Sequence, residues 1–175
     1  MISNAIGKTI YTEDQIRQRV AEIGELINRD YQGEELVIVC ILKGSLYFVA
    51  DLTRCLNMPM IIDFLSTGVS HDENGKTIVR FTKDLDVNIT GRHVLVVEDI
   101  IGTGFTLGYI CQRLEESKPA SLKICTLLDN PTNRLLTINI DYRCFVMPDL
   151  FVVGYGLDYK QHYRNLPYIA EFSHK

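Results

Sequence analysis

The chain has 175 residues, 46% hydrophobic and 23% charged, with a formal net charge of -4. That length suits one domain of ordinary globular composition. The acidic balance gives no electrostatic reason to expect a nucleic-acid partner, no apolar run nears the roughly 20 residues of a membrane span, and the N-terminal segment lacks the basic-then-apolar pattern of a secretory signal.

Thr12 with Gln15 three residues later forms a capping box, and Ile16, Val20, Ile23 and Ile27 then recur at helical spacing. Residues 12–30 are therefore expected to form an amphipathic helix. LVIVCI at 36–41 is wholly apolar, as expected of a strand buried on both faces. KGS at 43–45 leads into a second helix through about Leu56, and 60–65 reads as the next strand. Residues 66–77 are polar and rich in turn formers, which predicts a loop. An extended return follows at 77–82, then a polar connection into a strand at 93–98. A helix is expected over 104–117 with Pro119 marking its end, then a strand at 121–128. Shorter β pieces follow around 144–147 and 151–155. Strands alternating with helices argue for an α/β fold with a mainly parallel sheet and helices on both faces, the two ends of the chain building a small cap.

Cys40, Cys55, Cys111, Cys125 and Cys144 are scattered without a Cys-x-x-Cys pair, the pattern of buried reduced thiols in a cytoplasmic protein. His71, His93, His162 and His174 show no metal-ligand spacing.

Three constellations carry chemistry. In VLVVEDIIGTGFTL, at 94–107, four apolar residues run into Glu98 and Asp99, and a small-residue loop then opens a helix. Open α/β sheets bind ligands at the carboxyl ends of their strands. Loop amides and a helix N-terminus suit a phosphate, and two adjacent carboxylates suit vicinal ribose hydroxyls or a hard cation such as Mg²⁺. Alternatively, the acids simply end a strand. In LKGS, Lys43 and Gly44 follow a buried strand, where glycine permits close backbone approach and lysine can neutralise an oxyanion. Alone, the pair reads equally as a tight turn with a solvated lysine. In the tail, Phe151 could stack on a flat heterocycle beside strand amides of Val152, Asp158 could hold a cation, and Arg164 could pair with pyrophosphate. An ordinary core aromatic with surface charges is the alternative there. Ser66 and Thr67 stand at the mouth of the expected loop, within reach of a phosphate if that loop closes.

LKGS, then VLVVEDI-x-TG-x-T, then FVVGYGLDY with RNLPYI occur in the order and spacing of one family. Over nearly its whole length the chain resembles the bacterial hypoxanthine-guanine phosphoribosyltransferases. The resemblance implies the type I phosphoribosyltransferase fold, a parallel sheet flanked by helices with a small hood. It implies transfer of phosphoribosyl from phosphoribosyl pyrophosphate (PRPP) to a 6-oxopurine, Mg²⁺, and a homodimer or homotetramer. By matching position, Glu98 and Asp99 would bind the ribose hydroxyls and Thr103, Gly104, Phe105 and Thr106 would cradle the 5'-phosphate. Lys43, Gly44 and Arg164 would hold pyrophosphate. Phe151 would stack on the purine, Val152 would read it through its backbone, and Asp158 would ligate magnesium, with Glu98 and Asp99 as further candidate ligands.

Three positions depart from the family pattern. Gly102 stands where the family carries its presumed general base, an aspartate. Asn130 replaces the lysine that contacts the purine's 6-oxo group, and can donate to a 6-oxo or accept from a 6-amino group. The 66–77 segment lacks the aromatic that usually follows its first serine. Phosphate handling is thus retained and base handling altered, which leaves open a weakened or regulatory paralogue and a transferase with changed base specificity.

Overall fold

The computed structural model describes residues 5–71 and 77–173. Strands β2 (Leu36–Leu42), β3 (Met60–His71), β4 (Thr77–Lys83), β5 (His93–Ile101), β6 (Ser121–Asp129) and β7 (Tyr142–Val146) pair in the order β4-β3-β2-β5-β6-β7. Each of these pairings is parallel except β3 with β4.

The apolar runs follow from burial on both faces. Successive side chains of a strand point to opposite faces. Ile38, Cys40, Leu95 and Val97 pack toward α1 (Glu13–Asp30) and α2 (Leu46–Arg54), while Val37, Val39, Val94 and Val96 pack with Ile110 and Leu114 of α3 (Phe105–Glu115). The sheet is therefore mainly parallel with helices on both faces, as expected. The α1 capping box forms: Thr12 Oγ1 accepts from the Gln15 N–H at 3.3 Å, and Gln15 Oε1 accepts from the Thr12 N–H at 2.9 Å. Ile16, Val20, Ile23 and Ile27 are buried on its inner face.

Several bounds differ from expectation. The segment expected as a loop continues β3 to His71, and 67–71 pairs antiparallel with β4 as an arm. The backbone ladder with β4 forms this strand, and its polar, turn-rich composition conceals it in the sequence. Residues 72–76 of that expected loop, like His174, lie outside the described residues. At the arm's base Thr82 Oγ1 donates to Ser66 Oγ at 3.0 Å, and Lys83 lies 3.5 Å from Asp63 and 2.9 Å from Asp86. β5 runs three residues past the expected end, because Ile100 and Ile101 still pair with Leu128 and Asp129 of β6. α2 and α3 each end two residues early.

The cap is a second sheet, β1 (Ile6–Tyr11), β8 (Val152–Val153) and β9 (Ile169–Phe172), in the order β1-β9-β8. β8 is brief because Gly154, Tyr155 and Gly156 all take positive φ and turn the chain back toward the main sheet. All five cysteines are free, and Cys40, Cys125 and Cys144 are buried. Burial pushes the Cys40 thiol up to about 11 and the Cys144 thiol up to about 12. No helix among the described residues is long and apolar enough to cross a membrane.

Candidate active site

The three constellations meet at one backbone contact. A Cβ added at Gly44 would lie 1.5 Å from Asp99 Oδ2, so the backbone of the LKGS turn rests directly on that carboxylate. A Cβ added at Gly156, where φ is +101°, would lie 1.8 Å from the Gly44 carbonyl oxygen. Residues 44, 99 and 156 are thus stacked with no room for a side chain between them. The Leu42–Lys43 peptide beside this contact is cis.

The acids lie within β5, and β6 continues alongside them. Desolvation pushes Glu98 well above the usual carboxylate range, and the neighbouring charge of Asp99 and a hydrogen bond with it push the same way. Asp99 is raised by desolvation too, against opposing hydrogen bonds from Glu98 and the Ile100 N–H and the positive charge of Arg164. Both carboxyls are therefore easier to protonate than free ones, Glu98 the more so. A desolvated carboxylate pair of this kind is suited to receive hydroxyl donors or a cation.

Beyond the acids, a cavity of about 310 Å³ is lined by Glu98, Asp99, residues 100–104, Thr106 and Leu107. Gly104 caps α3 in the left-handed region at φ 90°, and the first-turn N–H groups of Phe105, Thr106 and Leu107 have no acceptor within the helix. Thr103, Gly104 and Thr106 line this cavity, and Phe105 is exposed beside it. A Cβ at Gly102 would meet nothing within 4 Å, and its φ lies outside the left-handed region.

The tail supplies cations and a ring. Arg164 Nη1 donates to the Gly156 carbonyl at 2.6 Å, and its Nη2 lies 2.7 Å from Asp158 Oδ1. Lys43 Nζ and Arg164 Nη2 both donate to Gln161 Oε1, at 3.2 and 3.3 Å. Gln161 thereby gathers two cations from opposite ends of the chain. Phe151 is half exposed, its ring angled against Phe172 at 6.0 Å and Tyr159 at 6.1 Å, so it is not a core aromatic. The Phe172 N–H donates to the Phe151 carbonyl at 2.9 Å. Hydrogen-bonded pairs alternate along an antiparallel ladder, so the Val152 N–H and C=O point away from β9, off the outer edge of β8.

Two expected residues are placed less openly. Asn130 is buried, its Nδ2 turned to Asp149 at 3.4 Å and its Oδ1 enclosed without a partner, so it is not presented to the cavity. Asp158 faces Arg164, and no group of three or more His, Cys, Asp or Glu able to hold a metal occurs among the described residues. Magnesium commonly takes only one or two carboxylates with substrate phosphates and water, and the Glu98–Asp99 oxygens fit that part. Ser66 and Thr67 belong to the arm. Gln161, Asp129 and Arg134 were not legible as site residues, because each acts through partners distant in sequence or through backbone carbonyls.

An open parallel sheet whose acid-bearing strand runs into a small-residue loop and a helix N-terminus, under a hood carrying a half-exposed aromatic, is the type I phosphoribosyltransferase architecture. Residues 7–160 match the family model of the phosphoribosyl transferase domain. The chain is 42% identical over 171 residues to a hypoxanthine-guanine phosphoribosyltransferase of Streptococcus pneumoniae, covering 97% of this chain and 95% of that one. It is 44% identical over 172 residues to the hypoxanthine phosphoribosyltransferase of Haemophilus influenzae, covering 93% of each. Crystal structures agree: the Bacillus anthracis hypoxanthine-guanine enzyme superposes with a TM-score of 0.89 at 45% identity, covering 96% of this chain and 99% of that one. The Staphylococcus aureus hypoxanthine enzyme gives a TM-score of 0.92 at 42% identity, covering 97% and 93%. The chain belongs to the hypoxanthine-guanine phosphoribosyltransferase family.

Proposed function

We propose that this chain transfers the phosphoribosyl group of PRPP to a 6-oxopurine, releasing pyrophosphate and giving IMP or GMP, as a cytoplasmic purine-salvage enzyme. The observation that supports the reading is the stacking of Gly44, Asp99 and Gly156, which brings the LKGS turn, the acid-bearing strand and the tail to one point. In this reading Glu98 and Asp99 accept from the ribose hydroxyls, and the amides of residues 103–106 take the 5'-phosphate. Lys43 and Arg164, gathered by Gln161, stabilise the leaving pyrophosphate, and preorganised charge of this kind is usually the largest single catalytic contribution. Glu98 and Asp99 are the oxygen donors that would hold Mg²⁺, which when bound neutralises phosphate charge, and Asp158 in the tail is a separate candidate ligand. Phe151 supplies a stacking surface, and the outward N–H and C=O of Val152 suit the edge of a purine. A homodimer or homotetramer is the assembly expected of the family, and size-exclusion chromatography with light scattering measures it.

Gly102 favours a second reading. It offers no group to take the purine's N7 proton, and loss of a general base typically costs about 10²–10⁴-fold. A nucleotide-binding paralogue with little turnover would carry the same phosphate site. A spectrophotometric panel of hypoxanthine, guanine, xanthine and adenine with PRPP and Mg²⁺, beside calorimetry with GMP, separates the two. Formation of IMP or GMP supports the transferase, and GMP binding without turnover supports the paralogue. A product from adenine alone would move the specificity to 6-aminopurines. No heat at millimolar GMP would remove both readings.

A further inference from the structure

Arg134 lies on none of the motifs, yet its side chain reaches the phosphate loop from behind. Its Nε donates to the Gly102 carbonyl at 2.8 Å and its Nη2 to the Ile101 carbonyl at 3.1 Å. Nη2 also pairs with Asp129 Oδ1, and the second oxygen of that buried carboxylate lies 2.9 Å from Arg143 Nε. One residue further along the loop, the Thr103 carbonyl accepts from the Leu135 and Leu136 N–H groups, each at 3.0 Å. Three successive loop carbonyls, 101 to 103, are thus pinned by the 134–136 segment. In a trans peptide the N–H points opposite to the C=O. The N–H groups of Gly102, Thr103 and Gly104 must therefore face away from Arg134. Residues 102–104 line the 310 Å³ cavity and residues 134–136 do not, which puts the cavity on the side the amides face. Consecutive amides turned into a concavity form an anion nest.

We propose that Arg134, anchored by Asp129, is a positioning residue that presets the amides of residues 102–104 to receive the 5'-phosphate. It touches no substrate and acts only through the two carbonyls it holds. Packing supports the same bracing: a Cβ at Gly104 would meet the Leu136 carbonyl oxygen at 3.0 Å and Arg134 Cδ at 3.3 Å, and one at Gly108 would meet Leu136 Cδ2 at 2.4 Å. The loop and the 134–136 segment are fitted without slack. The inference rests on the phosphoribosyl reading of the cavity.

The test compares two ligands that differ in their use of the nest. GMP carries the 5'-phosphate, whereas pyrophosphate is assigned to Lys43 and Arg164. Arg134→Lys keeps a cation for Asp129 but lacks the forked donors that reach both carbonyls. Arg134→Met removes both functions. By calorimetry in Mg²⁺ buffer, each variant is expected to weaken GMP about tenfold or more, the equivalent of one charge-assisted hydrogen bond, while pyrophosphate stays within about twofold. Equal losses for both ligands would show that Arg134 merely supports the fold, and unchanged GMP affinity would show that the nest forms without it. Either result overturns the proposal. If neither Arg134 variant folds by circular dichroism, Asp129→Asn leaves the arginine present but unanchored. It is expected to shift GMP in the same selective way, and a non-selective change refutes the idea equally. Failure of the unmodified chain to bind GMP is a different result, which removes the phosphoribosyl reading and this inference with it.

Discussion

At Gly44 and Gly156 one contact yields two different outcomes on substitution. An alanine at 44 meets the end of a side chain, Asp99 Oδ2, which can swing aside. We expect Gly44→Ala to fold but to weaken PRPP about tenfold or more, because the carboxylate leaves its place beside the sugar. An alanine at 156 meets the Gly44 carbonyl oxygen, in backbone that cannot swing, and at φ +101°. Backbone strain alone costs about 1–3 kcal/mol there, so Gly156→Ala should lower the melting temperature by several degrees. Thermal unfolding and PRPP titration of both variants check the contrast. Gly102→Asp has the opposite prospect, since its Cβ meets nothing and its φ is ordinary. It should fold normally and raise kcat with hypoxanthine, toward the ~10²–10⁴-fold a general base supplies. A folded variant without gain in turnover would count against Gly102 as the limiting defect. Phe151→Ala should weaken GMP by about 1–3 kcal/mol, the worth of one stacked base, and leave PRPP nearly unchanged. Equal losses would make Phe151 structural. Gly44, Gly102 and Phe151 were legible as candidates because each sits in a short motif whose chemistry is local, whereas Gly156 was not singled out. The sequence could not reveal Arg134, Gln161 or Asp129, because a lone arginine or glutamine carries no sign of which carbonyl or cation it will meet. Nor could it reveal the burial of Asn130 against Asp149, which depends on how two loops pack.

Elements were legible where burial makes them and illegible where pairing does. The α1 helix announces itself through its cap and its 16-20-23-27 stripe, and both recur in the structure. Thr12→Ala should remove one arm of the capping box and cost about 1 kcal/mol, or roughly 2–4 °C in melting temperature for a chain of this size. Differential scanning calorimetry at fixed pH measures it, and an unchanged transition would mean that packing alone fixes the helix start. The helix is also tied to β7, where Arg19 donates to the carbonyls of Arg143 and Cys144 at 2.9 Å each. The β4 half of the arm was expected at 77–82, but the β3 half was missed because turn-forming residues at 66–71 outweigh any strand signal there. β5 ran past its expected end for a related reason: the sequence marks where apolar residues stop, not where the neighbouring strand does. β1 and β9 escaped individual assignment because each is short and pairs across almost the whole chain, Ile6 with Phe172.

For the molecule as a whole, the acids of the site oppose stability. Glu98 and Asp99 titrate above their usual range when folded. An acid raised in this way favours the folded state below its unfolded value, near 4, and that advantage fades as pH climbs through the folded value. The unliganded chain should therefore lose stability from this pair as pH climbs above about 4. Glu98→Gln should melt above the parent chain, by a margin that grows as pH rises from about 4, while PRPP affinity falls. A margin independent of pH would show that the pair is ionised without strain. The two sheets also differ in when they can exist. β9 is the middle strand of the hood, and both its neighbours precede it in the chain. During synthesis the main sheet and its phosphate loop can close as soon as β7 emerges, while β1, made before all of them, waits for a partner until residues 169–172 appear. On the proposed reading, a ribosome-stalled chain ending before β9 would thus hold the sugar-phosphate half of the site without a closed hood sheet beside Phe151. On that reading, the capacity to grip a phosphate is complete on the ribosome before the capacity to choose a base.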